Sequence, residues 1–99
     1  MNIQVTHDKG KDEAKRRLEE LVQELKGKYS SQIEDFKEGW DGYVNHASGK
    51  AKGFAVSGTV EVKDAVVEIE LTIPFLLRGF NKKIRAVIEE KVKACILGS

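Results

Sequence analysis

The chain has 99 residues, of which 40% are hydrophobic and 33% are charged, and this is the composition of one ordinary globular domain. The 17 Lys and Arg residues against 16 Asp and Glu residues give a formal net charge of +1, which is too small for a dedicated nucleic-acid-binding domain. No apolar run approaches the ~18 residues of a membrane-spanning helix, and residues 1–3 do not begin a secretory signal.

The first predicted elements are a short strand and a long amphipathic helix. Ile3 and Val5 alternate with polar residues, which predicts a strand with one buried face. Asp8 is the expected N-cap, because its carboxylate can accept a hydrogen bond from a free backbone N–H of the first turn. Apolar residues then recur at three- and four-residue spacing and predict one buried helix stripe. The stripe consists of Ala14, Leu18, Leu21, Val22, Leu25 and Tyr29.

From residue 32 to residue 73 the period changes to two, which predicts four strands. The first of them runs from Ile33 toward Trp40, with Phe36 and Trp40 on one face and Ile33 on the other. Turns are expected at residues 41–42, 48–50 and 63–64. The last two strands form a hairpin with one face on the core. Gly58 lacks a side chain on that face, which indicates a bulge or the close approach of a helix.

A second amphipathic helix follows the strands. Pro74 ends the last strand and suits the first turn of a helix. The helix stripe consists of Leu77, Phe80, Ile84, Val87, Ile88 and Val92, and Cys95 and Ile96 continue it. Two amphipathic helices and one apolar sheet face are buried most simply when both helices pack on the same face of an antiparallel sheet.

We therefore predict a single α+β domain over residues 1–99, with a sheet of four to five strands and the order β-α-β-β-β-β-α. The expected core combines both helix stripes with the inward face of the hairpin. It consists of Leu18, Leu21, Leu25, Val56, Val60, Ile69, Leu71, Ile84 and Ile88.

The residue types that carry chemistry are few and scattered. Neither His7 nor His46 has a second ligand at metal-site spacing, and both are interpreted as structural or exposed. Cys95 is the single cysteine and cannot form an internal disulfide, which favours a cytoplasmic protein. Because Cys95 lies on the helix stripe, it is expected to be a buried, inert thiol. Glu68 and Glu70 share an outward sheet face, where water stabilises both charges. We predict no metal, no cofactor and no catalytic residue.

Residues 73–83 form the candidate interaction surface. Five large apolar residues lie between positions 73 and 80, which is more than a helix stripe needs. Phe75 and Leu76 are left over, and they stand beside Arg78, Lys82 and Lys83. An exposed apolar cluster next to cations is typical of an interfacial anchor. The alternatives are that Phe75 and Leu76 cap the core or form the seam of a homodimer.

Four stretches of the chain, taken together, resemble a known family. Their residues are His7, Gly10, Glu13, Ala14, Arg17 and Leu18, then Trp40 and Gly42, then Gly53, Val56, Gly58, Val60, Val62 and Asp64, and finally Pro74, Leu76, Leu77 and Phe80. In order and spacing they resemble the polyhydroxyalkanoic acid system protein family, small bacterial proteins encoded close to genes for polyester storage granules. The chain departs from the pattern at Lys9, where a large apolar residue is expected, and at His46-Ala47, near which an aromatic is expected.

The resemblance suggests an accessory role in polyester granule formation or organisation, and it brings no catalytic residues with it. Together with the candidate surface, it leads us to expect a non-enzymatic protein that binds a granule surface or a granule-associated protein. The charge and the hydropathy predict neither a nucleic-acid partner nor an integral membrane segment. Two alternatives remain. A small apolar-ligand carrier of truncated helix-grip type requires a pocket of a few hundred cubic ångströms between helix and sheet. A thioester hydrolase requires His7, His46 or Cys95 to converge with a carboxylate in a cleft.

Overall fold

The computed structural model of the protein describes residues 1–28, 30–72, 79 and 81–98. Within these residues the chain forms a five-stranded antiparallel sheet and two helices, which confirms the predicted α+β fold and element order. The elements are β1 (Asn2–Thr6), α1 (Lys11–Lys28), β2 (Ile33–Asp41), β3 (Val44–Ala51), β4 (Phe54–Val62), β5 (Val66–Thr72) and α2 (Asn81–Leu97). The strand order is β1-β5-β4-β3-β2, so β1 and β2 are the edges of the sheet.

Both helices lie on the inner face of the sheet, but the closely packed core occupies only the half near β1 and β5. Its sheet residues are Ile3, Val5, Val62, Val67 and Ile69, and its helix residues are Ala14, Leu18, Val92 and Ile96. These helix residues come from the first half of α1 and the second half of α2. The apolar surface buried at this end stabilises the fold.

The predicted core is therefore only partly correct. Leu18 and Ile69 are buried in the core. The residues Leu21, Val60, Leu71 and Ile88 are half-buried and pack against it. Leu25, Val56 and Ile84 are also half-buried, but they line an open groove described below. Tyr29, Ile73, Pro74, Leu77 and Phe80, which the sequence assigned to strand or helix positions, lie outside the described residues.

The helix α1 begins after Gly10, and the prediction of Asp8 as its N-cap is wrong. The first helical hydrogen bond runs from the Ala14 N–H to the Gly10 carbonyl oxygen over 3.1 Å. Gly10 has a φ of 77°, a left-handed conformation that glycine adopts without a Cβ clash. The exposed Asp8 carboxylate instead lies 3.8 Å from Lys9 Nζ.

The strand β2 contains a bulge that reverses the predicted orientation of Ile33. Between Glu34 and Lys37, β2 has one residue more than the facing part of β3. Asp35 within this segment has a φ of 53°. An extra residue shifts the alternation by one position. As a result Ile33 lies on the inner face with Phe36, not on the opposite face.

The hairpin between β3 and β4 turns later than predicted. The strand β3 continues through residues 48–50, which the sequence assigned to a turn, and ends at Ala51. The reversal is made by Lys52 and Gly53, whose φ angles are 53° and 84°. Positive φ at both central residues is the signature of a two-residue hairpin turn that matches the twist of the strands. The predicted reversal near Gly42, with a φ of 62°, and the one at residues 63–64 are confirmed.

Arg17 joins the two helices at their packed ends. Its Nη1 donates to the carbonyl oxygens of Ile96 at 3.0 Å and Gly98 at 2.8 Å, and Nε donates to Glu13 Oε2 at 2.9 Å. The last carbonyls of a helix lack intrahelical partners and carry partial negative charge, so a guanidinium satisfies and stabilises them. In the other direction, Cys95 Sγ lies 3.1 Å from the Arg17 carbonyl oxygen, to which the thiol donates.

His7 is buried and connects the end of β1 to the turn between β4 and β5. Its Nε2 lies 2.9 Å from the Lys63 carbonyl oxygen, and its Nδ1 lies 3.1 Å from the Lys9 N–H. A carbonyl can only accept, so the ring proton is on Nε2 and Nδ1 is the acceptor. The His7 N–H also donates to the Ala65 carbonyl oxygen at 2.9 Å. This geometry gives His7 a structural role.

Candidate functional site

An apolar groove crosses the inner face of the sheet beside the packed core. One section, of 390 Å³, lies between α2 and strands β2 to β5, and a second section, of 290 Å³, extends toward α1. The two sections are neighbours on this face and share the lining residues Ile33, Phe36, Ala47, Val60 and Ile88. Their walls are almost entirely apolar, as in pockets that hold small organic ligands.

The groove exists because the side chains on its floor are small. The inward positions of β3 along the groove are held by Ala47, Gly49 and Ala51, and the residue opposite Ala47 on β4 is Gly58. Leucine or isoleucine at Ala47 or Ala51 would extend into the space below α2. The alternation of the strand therefore creates the volume as well as the apolar character of the site.

The side chains of Ile33 and Leu71 occupy the space next to the floor glycines Gly49 and Gly58. A Cβ atom built on Gly49 would lie 2.7 Å from Ile33 Cγ2, and one on Gly58 would lie 2.7 Å from Leu71 Cδ2. The strand β4 pairs continuously with both of its neighbours around Gly58, so the predicted bulge is absent there. The group that approaches Gly58 is a side chain of β5 rather than a helix, so this prediction is also corrected.

The helices form the walls of the groove. Ile84 and Ile88 of α2 line the larger section, and Val22 and Leu25 of α1 line the second section together with Val87 of α2. Val87 is 42% exposed, so the wall is open to solvent at this point. These residues follow the predicted helix stripes, and over the part of the chain that the structure describes they face small floor residues across the groove.

Two lysines line the mouth of the second section. Lys26 comes from the last turn of α1 and Lys91 from α2, and the Ser30 residue lies beside them. Over the part of the chain that the structure describes, no carboxylate lies within 4.0 Å of either ammonium group. Glu20 and Glu24 share a neighbouring depression with Lys91 but are farther away than an ion pair. Two cations therefore line this section of the groove.

A buried polar pair lies near the same section. Asn45 is only 1% exposed, and its Nδ2 donates to Glu38 Oε1 at 2.9 Å. The other oxygen of Glu38 accepts from Gln23 Nε2 at 3.4 Å. Because the amide and the carboxylate satisfy each other, they can be held next to apolar walls without the cost of an unpaired polar group.

The outer face of the sheet carries a separate, polar depression of 480 Å³. It brings His46 and Glu70 together with the hydroxyls of Ser48 and Ser57. A hydrolase needs a hydrogen-bonded nucleophile and base. Within residues 1–28, 30–72, 79 and 81–98, no hydrogen bond joins His46 to Glu70 or to either serine. The depression therefore gathers suitable residue types without activating one of them.

The remaining candidate ligands and nucleophiles do not form a site. Among the residues described, no three His, Cys, Asp or Glu side chains are grouped so that they could hold a metal ion. Cys95 is half-buried, and burial raises the pKa of its thiol above the ordinary value. A neutral thiol is a poor nucleophile and metal ligand. Neither helix, as far as the structure describes it, is long and apolar enough to cross a bilayer.

Only part of the predicted interaction surface lies within the described residues. Lys82 and Lys83 are exposed at the start of α2, next to the groove residue Ile84. Phe75, Leu76 and Arg78 lie outside the described residues. The groove itself was not predicted from the sequence, although small residues at alternate positions of β3 were a signal for it.

The family comparison matches almost the whole chain: residues 1–96 fit the model of the family described as "Putative polyhydroxyalkanoic acid system protein". No curated protein matches the chain. A search of solved structures finds a likeness to the crystal structure of TTHA0849 from Thermus thermophilus, with 15% sequence identity and a TM-score of 0.35. That alignment covers 99% of this chain and 92% of the other.

Proposed function

The chain belongs to the "putative polyhydroxyalkanoic acid system protein" family, and from this we propose that it is a non-enzymatic accessory protein of polyester storage that binds an aliphatic acyl chain in its groove. The family description names a polymer of hydroxyalkanoic acids, whose units are aliphatic chains, and it names no reaction. The observation that carries the proposal is the apolar groove between α2 and the sheet.

The size and chemistry of the groove support this proposal. Its larger section measures 390 Å³, and pockets for small organic ligands begin at roughly 300 Å³. Each methylene group that leaves water for an apolar wall contributes about 0.8 kcal/mol before association costs. These features favour the apolar-ligand carrier that the sequence left as an alternative.

A substitution that fills the groove tests the proposal. Ala47 is half-buried, points inward and lines both sections, so Ala47→Leu places an isopropyl group in the ligand's path. The matched control is Ala55→Leu, which adds the same group to an exposed, outward position of the adjacent strand β4. Binding of methyl 3-hydroxydecanoate would be measured by isothermal titration calorimetry, with circular dichroism as the check on folding.

We expect Ala47→Leu to weaken binding by about tenfold or more, because excluding two methylene groups at about 0.8 kcal/mol each loses about 1.6 kcal/mol, and about 1.4 kcal/mol corresponds to tenfold. Ala55→Leu should bind as the unsubstituted protein does. Filling an existing space adds packing contacts, so the groove variant should not unfold at a lower temperature. Absence of binding by the unsubstituted protein, or equal binding by the two variants, would contradict the proposal.

Attachment to the granule surface is a second candidate function. The supporting observation is that Lys82 and Lys83 are exposed at the start of α2, just before Ile84, although neither lysine lines the groove. Together with Phe75, Leu76 and Arg78 they would form the anchor predicted from the sequence. Exposed apolar residues beside cations attach proteins to amphiphilic surfaces, and a polyester granule, an apolar body with an amphiphilic coat, is such a surface.

Partitioning onto isolated granules separates this candidate from the groove. The double substitution Phe75→Ser with Leu76→Ser should reduce the granule-bound fraction, while Ala47→Leu should leave it unchanged. Analytical ultracentrifugation of the same double variant tests whether these residues instead form a homodimer. Unchanged partitioning and unchanged mass in a folded double variant would exclude this surface as the interface.

A further inference from the structure

We propose that the occupant of the groove is a free hydroxyalkanoate with an aliphatic tail, bound with its carboxylate between Lys26 and Lys91 and its tail along the sheet. This inference rests on the proposed function and adds the ligand's charge and its direction in the groove. The apolar lining shared by the two sections defines the path of the tail. The two lysines line only the section near α1.

Lys91 supports this assignment more strongly than Lys26 does. Lys26 lies in the last turn of α1, where the partial negative charge of the helix end already favours a cation. Lys91 lies within α2, where no helix end accounts for it, and it lines the same apolar section. A cation that borders an apolar wall and has no ion-pair partner among the described residues is complementary to the head of an anionic amphiphile.

Nearby carboxylates limit the size of the expected effect. Glu20 faces Lys91 across the helix pair but is bound to Arg16, whose Nη1 lies 2.8 Å away. Glu24 faces the same depression and competes with the ligand for Lys91. Each lysine should therefore contribute only as much as a partly exposed ion pair, about 1.4- to fivefold in affinity.

The test compares 3-hydroxydecanoate with its methyl ester, which has the same tail but no negative charge. For the unsubstituted protein we expect the acid to bind about two- to thirtyfold more tightly than the ester at low salt, because the factors from the two lysines multiply. The preference should shrink as ionic strength rises, because salt screens the ion pairs. The double substitution Lys26→Gln with Lys91→Gln should remove the preference and leave the affinity for the ester unchanged.

The control removes two charges elsewhere. Lys50 on the outer face of β3 and Lys93 on the exposed side of α2 do not line the groove, so Lys50→Gln with Lys93→Gln should keep the preference for the acid. Equal binding of acid and ester by the unsubstituted protein, or a preference that survives the loss of Lys26 and Lys91, would overturn this inference. If the ester still binds and Ala47→Leu still blocks it, the proposed function stands alone. If neither compound binds, both fail.

Discussion

Replacing Arg17 by methionine should destabilise the protein more than replacing any exposed charged residue would. Methionine keeps most of the apolar stem but removes the hydrogen bonds to the Ile96 and Gly98 carbonyl oxygens at 3.0 and 2.8 Å. The Arg17 side chain is 20% exposed, so water can only partly replace these bonds. A hydrogen bond to a charged group contributes about 1.5–3 kcal/mol. Because some solvation is regained, we expect a total loss of about 2–3 kcal/mol.

Urea unfolding at neutral pH, followed by circular dichroism, measures this loss. The midpoint should fall while the slope stays constant, because the change alters stability rather than the surface exposed on unfolding. The neighbouring Arg16→Met is the control: that side chain is 57% exposed and its partners, Glu13 and Glu20, are on the surface of the same helix. It should cost much less. Equal midpoints for the two variants would refute the assignment of Arg17 as the residue that fixes the helix ends together.

Three further predictions concern titratable groups. His7→Ala should lower the free energy of unfolding by about 1–3 kcal/mol, because it leaves the Lys63 carbonyl and the Lys9 N–H without their buried partner. In the same urea assay, the control His46→Ala on the exposed face should leave the stability nearly unchanged. Hydrogen bonds, first from Arg16 and then from Arg17, lower the pKa of the Glu13 carboxyl from 4.5 to about 2, so the stability that this group contributes is present above pH 4.5 and is lost as the pH falls toward 2. Glu13→Gln should remove this part of the acid dependence. A difference in unfolding free energy between the unsubstituted protein and Glu13→Gln that stays constant over that pH range would contradict the prediction. Burial raises the pKa of the Cys95 thiol, so iodoacetamide should modify it more slowly in the native than in the urea-unfolded protein; equal rates would show that the thiol is accessible and ionised as in a free chain.

The sequence predicted the elements well because their periods are regular, and its errors have local physical causes. Alternation could not reveal the bulge at Asp35, since one extra residue leaves the pattern on either side intact and changes only the face of Ile33. The prediction of a turn at Ser48-Gly49-Lys50 failed because glycine permits a turn and also a close approach. Here Gly49 lies within β3, under the side chain of Ile33.

The groove escaped prediction for a different reason. Periodicity indicates on which face of a strand or helix a residue lies, but it does not indicate whether side chains of the facing layer contact that residue. Val56 and Ile84 have the pattern of core residues, and both face inward. Whether they touch depends on the volume of the side chains between them. Among the described residues, the small side chain of Ala47 leaves part of that volume unfilled, whereas Leu71 lies over Gly58 on the paired strand.

The unequal attachment of α2 has a consequence for how the protein opens. The second half of the helix is held by the burial of Val92 and Ile96, whereas its first half faces the groove and is tied to β1 by an exposed hydrogen bond from Arg85 to the Asn2 carbonyl oxygen. Segments with few buried contacts undergo local unfolding at a lower free energy than the rest of a domain. The backbone amides of the first half should therefore exchange with solvent deuterium faster than those of the second. A ligand bound in the groove would slow exchange first in this half of α2, because Ile84 and Ile88 line the groove, while the second half stays packed in the core.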